Sequence, residues 1–151
     1  MGTTFVGIKQ NGFWVHDSLL ELWLRMAALH IEDTLDKQSL AHSIRNEWLL
    51  ASRGYFSGSV PLNLEENIST SEGKALVVNA FESLISELEA APAILHEGVI
   101  NLMGFDGVFL EGIESYRLIS IGESLMQLIN GVKFAGPEDS SFIPGNTSHK
   151  K

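Results

Sequence analysis

Apolar side chains recur every three or four residues between Leu19 and Ile31. Leu19, Leu22, Trp23, Met26 and Leu29 form a stripe, and Leu20, Leu24, Ala27 and Ile31 widen it. This period predicts an amphipathic helix across HDSLLELWLRMAALHIED. Asp17, Glu21 and Arg25 fall four apart on the opposite face, with Glu21 placed to pair with Arg25. Ser18 and Glu21 have the spacing of a capping box. A second helix is predicted over QSLAHSIRNEWLLASRGYF, where Leu40, Ala41, Ile44, Trp48 and Ala51 share a face. Gly54 is suited to the left-handed turn that stops it. The short gap between the two stretches predicts antiparallel packing.

The period then fails. Residues 54–69, GYFSGSVPLNLEENIS, have no helical rhythm but carry Tyr55, Phe56, Val60, Leu62, Leu64 and Ile68. A connection of this length is usually functional or disordered, and its apolar content predicts a loop docked on the helices. Ser69 to Glu72 reads as another capping box, launching a helix with Val77, Phe81, Leu84 and Leu88 inward and Pro92 ending it. AILHEGVINLMG predicts a short helix stopped near Gly104, and FDGVFLEG a glycine-punctuated connection. GIESYRLISIGESLMQLING predicts the final helix, with Leu118, Ile121, Leu125 and Leu128 inward.

The ends are irregular. TTFVGIKQNGF reads as an extended arm in which Asn11-Gly12 can turn a short hairpin. Beyond Phe134 there is no period; Phe142 and Ile143 can pin part of the tail, and NTSHKK is expected to fray. The expected fold is therefore all-α: a single domain over 1–151, with a helical core over 12–133 and a tail over 134–151. The core is a bundle of four or five helices with a docked loop at 54–69. Trp23 and Trp48 lie on apolar stripes and are expected in the core.

Composition narrows the function. The chain of 151 residues has no cysteine, which excludes disulfides and thiolate metal sites. MGTTFVGIKQ lacks the charged and apolar regions of a signal peptide. No apolar run approaches the roughly 20 residues of a membrane span. A soluble cytoplasmic protein is the simplest placement.

Net charge is −9, and it is concentrated. Residues 60–116 hold ten acids and one base, Lys74. Such a chain repels nucleic acid and anionic lipid, which argues against direct binding to either.

Enzyme chemistry has weak signals. No pair of histidines has metal-binding spacing, and His30 with Asp33 reads better as a surface pair. Gly122-Glu-Ser124 is half of a nucleophile elbow on a predicted helix. The glycines of GFDGVFLEG lack phosphate-loop spacing. Glu65-Glu66 and Glu111/Glu114 could bind a cation or work as acid and base, which requires an environment that raises one pKa. No catalytic residue, metal or cofactor is predicted.

The acidic block reads instead as a contact surface for a basic protein. Ordinary surfaces intersperse both signs, and here acids sit in loops beside apolar residues. A charged rim around apolar anchors selects a partner and slows its release. The candidate contacts are Glu65, Glu66, Asp106, Glu111 and Glu114, with Tyr55 and Phe56 as anchors.

Three stretches, GFWVHDSLLELWLRMAALHIED, SIRNEWLLASRGYFSGSVPLNLEE and INLMGFDGVF, resemble bacterial immunity proteins of contact-dependent growth inhibition systems. The likeness spans most of residues 12–110. It implies a cytoplasmic, non-enzymatic protein that binds one cognate toxin domain, a basic nuclease, and occludes its active site. The alternatives are a small helical enzyme or ligand-binding protein with carboxylates in an interhelical pocket, and an adaptor for another basic protein.

Overall fold

The computed structural model describes residues 2–32, 34–105 and 107–146. The expected fraying of the last residues and the pairing of His30 with Asp33 therefore lie outside the described residues. The architecture corrects the all-α expectation. The described chain is 49% helical and 12% strand, with six helices and two small antiparallel sheets.

The N-terminal arm is a regular hairpin of β1 (Thr3–Ile8) and β2 (Asn11–His16). Its register runs from Thr3 opposite His16 to Ile8 opposite Asn11. The turn is therefore Lys9-Gln10, both with positive φ (50° and 66°), as a two-residue hairpin turn demands. Asn11-Gly12, the turn signal in the sequence, has another task. The Asn11 side chain donates to Val132 O (3.0 Å) and accepts from Phe134 N (2.6 Å). Gly12 bridges to Ala135, and a β-carbon there would collide with Val6 O. The pair fastens the C-terminal segment to the hairpin. Phe13, Phe134 and Phe142 extend the same seam, with Phe134 stacked on Phe142 at 5.8 Å.

Alternation explains why the hairpin forms. Thr4 and Val6 on one strand, and Phe13 and Val15 on the other, point inward. They cover α1 (Asp17–Ala28) and α6 (Ser115–Ile129), which packs along α4 (Ser71–Ala90). α2 (Leu40–Ala51) packs on α1. Trp23, Trp48 and Phe81 meet at the centre: Trp48 stacks on Phe81 at 5.4 Å, and Trp23 meets the same ring edge-on. All three are fully buried.

Two helix starts differ from expectation. α1 begins at Asp17 after His16, without a side-chain cap, so the Ser18–Glu21 box does not form. α4 is capped by Thr70, whose hydroxyl accepts from Gly73 N (3.0 Å). α2 is capped by Ser39 and followed by Gly54 at φ 95°.

The loop after α2 docks through Val60, Leu62 and Leu64, all buried, and contains the short helix α3 (Leu64–Asn67). Its docking point is polar. Asp17 Oδ1 accepts from Thr4 Oγ1 (2.6 Å), Asp17 Oδ2 accepts from Gly58 N (2.6 Å), and Thr4 Oγ1 accepts from Val60 N (3.0 Å). One buried carboxylate thus joins the hairpin, the loop and α1.

Candidate partner-binding lobe and cleft

Between α4 and α6 the chain leaves the helical body and returns. Where it leaves, Ile94–Leu95 (β3) pairs antiparallel with Ile113–Glu114 (β4), and Ser115 N donates to Ala93 O (2.9 Å). The closure is tight: a β-carbon on Gly112 would sit 2.8 Å from Leu95 O. The excursion is short helical turns, α5 (Glu97–Ile100) and a 3-10 turn (Asn101–Met103), followed by a loop. Asn101 ties the loop back. Its Nδ2 donates to Phe109 O (2.9 Å) and its Oδ1 accepts from Phe109 N (2.8 Å). Phe105 meets Phe109 edge-on at 5.6 Å, and the Arg25 guanidinium lies over Phe105 at 5.5 Å. Ile100 is fully buried and anchors the lobe in the core.

This lobe holds apolar side chains away from the core. Leu102 and Leu110 are 86% and 87% exposed, Val108 is 72% exposed, and Ile94 and Val99 are also exposed. Exposed aliphatics gathered on a self-tied segment are the kind of surface that a partner can bury. Its charge has one sign: residues 94–114 contain four acids and no lysine or arginine, and α4 before it adds Glu82, Glu87 and Glu89.

The lobe overhangs a cleft of about 570 Å³ against the start of α1, the end of α2 and the start of α6. Leu19, Phe105, Val108, Phe109, Leu110 and Ile113 make its apolar wall. His16, Ser18, Glu21, Arg53, Glu111 and Arg117 supply the polar groups. The sequence places Asp17, Glu21 and Arg25 on a solvent face; the hairpin, the 54–60 loop and the lobe cover that face instead. Asp17 is buried and Glu21 half-buried. Burial first, and the Asp17 carboxylate second, push the Glu21 carboxyl up to about 7.

That shift gives a stability prediction. Folded Glu21 titrates near 7 against an ordinary value of 4.5. Between those values the folded state binds more protons, so stability falls as pH rises through this window. Glu21→Gln should stabilise the fold at pH 8 by about 1–2 kcal/mol, after discounting for its solvent-exposed part. At pH 4 the gain should vanish. Urea melts at both pH values check this.

The sequence-predicted residues divide among locations. Glu111 is exposed on the lobe and lines the cleft. Tyr55 is exposed beneath the Arg53 guanidinium (5.6 Å), and Arg53 lines the same cleft; Phe56 is half-buried, 6.3 Å from Tyr55. Glu114 is half-buried, lies in β4 opposite Ile94 of β3, and is the residue before α6, where its side chain makes no capping hydrogen bond. Glu65 and Glu66 are exposed on α3 and line a different cleft of about 310 Å³, beside β1. Glu65 Oε1 accepts from Lys9 N (3.1 Å). Asp106 lies outside the described residues. Sequence reasoning missed Leu102, Val108, Leu110, His16, Glu21 and Arg117. For the lobe residues the available signal was GFDGVFL, an apolar stretch beyond the predicted short helix that no helical period accounts for.

Among the described residues no group of three or more histidines and carboxylates is arranged to hold a metal ion, and no helix is long and apolar enough to cross a membrane. Compared with protein-family models, with curated proteins and with solved structures, the chain gives no match.

Proposed function

We propose that this chain is a non-enzymatic immunity protein of the cytoplasm. It neutralises a cognate toxin domain, a basic nuclease, by seating the 94–114 lobe on the toxin and covering its active site. The observation that carries this reading is the lobe: Leu102, Val108 and Leu110 stand exposed on a segment fixed by β3–β4 and the Asn101–Phe109 bracket. A preorganised lobe loses little conformational entropy on binding, so its apolar contacts convert into affinity. The acid-only charge of residues 75–116 favours a basic partner. Glu111 and Tyr55 belong to the contact face; Glu65 and Glu66, beside the hairpin, add to the long-range field that steers the partner.

The test is to co-express the chain with the product of the gene adjacent to its own, purify the pair, and assay that product for nuclease activity with and without the chain. Stoichiometric association with loss of activity is the expected result. Failure to associate removes the proposal.

Charge reversal separates the two acidic sites. Glu111→Lys should slow association several-fold and flatten its salt dependence, because a rim charge acts mainly on the encounter rate. Glu65→Lys/Glu66→Lys should slow association less and leave the dissociation rate unchanged. Stopped-flow association at low and moderate salt measures both.

A further inference from the structure

We propose that the cleft beneath the lobe is a binding site for a small apolar monocarboxylate, held by the Arg117 guanidinium and the phenylalanine-rich wall. This does not rest on the toxin reading. The cleft, at about 570 Å³, has the size of small-molecule sites and their usual make-up, apolar walls with a few convergent polar groups. Among the described residues, Arg117, His16, Ser18 and Glu21 keep polar capacity to spare. Arg117 uses Nε on Gly145 O (2.7 Å), and its two terminal nitrogens make no hydrogen bond to another described residue. The side chains of His16, Ser18 and Glu21 likewise make none among the described residues.

Arg117 selects the head group. A guanidinium with both terminal nitrogens open takes a carboxylate through two parallel bonds. Phe105, Phe109 and Leu110 offer the hydrocarbon surface. Glu21 would repel an anion when ionised. Its carboxyl, held protonated to near neutral pH, instead offers a donor to the incoming carboxylate. Among the described residues, the charged or titratable groups around the cleft are His16 and Asp17 at the start of α1, Arg25 two turns on, Arg53 after α2, Glu111 on the lobe and Arg117 on α6.

The probes are octanoate, octanol and octylamine, titrated into the full chain by calorimetry at pH 6 and pH 8. The expected result is saturable one-to-one binding of octanoate, at least about tenfold tighter than octanol, with no binding of octylamine. Arg117→Gln should weaken octanoate about tenfold or more and leave octanol unchanged; Arg117→Lys should recover part of the loss. Octanoate should bind more weakly at pH 8 than at pH 6, and Glu21→Gln should reduce that difference. Equal binding of the three probes, preference for octylamine, or indifference of octanoate to Arg117→Gln would each overturn the proposal. Circular dichroism of each variant confirms that a loss is one of binding and not of fold.

Discussion

Leu102→Ser with Leu110→Ser should lower affinity for the proposed toxin partner at least about a hundredfold and leave the melting temperature unchanged. Both side chains are almost fully exposed in the free protein, so removing them creates no cavity and costs little stability. On a partner they would be buried, and burying a leucine contributes about 1.5–3 kcal/mol. Two anchors at the low end of that range already account for about a hundredfold in affinity. Serine keeps the charge constant, so the loss should fall on dissociation, not association. Surface plasmon resonance separates the rates, and a thermal melt checks the fold. Unchanged dissociation would mean that the lobe is not where the toxin sits.

Asp17→Ala should cost about 3–4 kcal/mol of folding stability. The carboxylate accepts from the Thr4 hydroxyl and the Gly58 amide, each at 2.6 Å, and is only 7% exposed. Hydrogen bonds to charged groups contribute about 1.5–3 kcal/mol each, and orphaning their buried partners adds to the loss. Relief of Glu21 from its acidic neighbour returns a small part. Asp17→Asn should cost about half as much, because the amide oxygen still accepts one bond while the amide nitrogen cannot accept the other. Amide exchange should quicken first at Gly58 and Val60, since the 54–60 loop hangs on this pin. Chemical denaturation of both variants, fitted to a two-state transition, supplies the test. A loss below about 1 kcal/mol for Asp17→Ala would show that the hairpin and loop are held by apolar packing alone.

The strong helical periods were legible because each serves one buried stripe. Trp23, Trp48, Phe81 and Leu125 lie where the spacing puts them. The strands were harder to read for separate reasons. In the hairpin, the turn falls on Lys9-Gln10, residues with no turn preference, while Asn11-Gly12 carries a turn signal but clamps the C-terminal segment. β3 and β4 are two residues each, too short for any alternation to appear. The polar face of α1 misled because amphipathicity assumes water on the far side. Here the hairpin, a loop and the lobe occupy that side, and Glu21 becomes a cleft residue. The acidic excess was legible by counting, but its division between α3 and the lobe is a matter of tertiary placement. Glu65 and Glu111 line different clefts, which no local rule could assign.

Hydrogen–deuterium exchange of this chain, alone and with the product of the adjacent gene as the proposed toxin, addresses the binding face without prior choice of a mutation. The lobe amides from Val99 to Glu111, together with Tyr55 and Phe56, should gain protection in the complex, while α4 and the hairpin remain unchanged. Protection confined to α3 and the β1–β2 hairpin, with the lobe exchanging as in the free chain, would contradict the account.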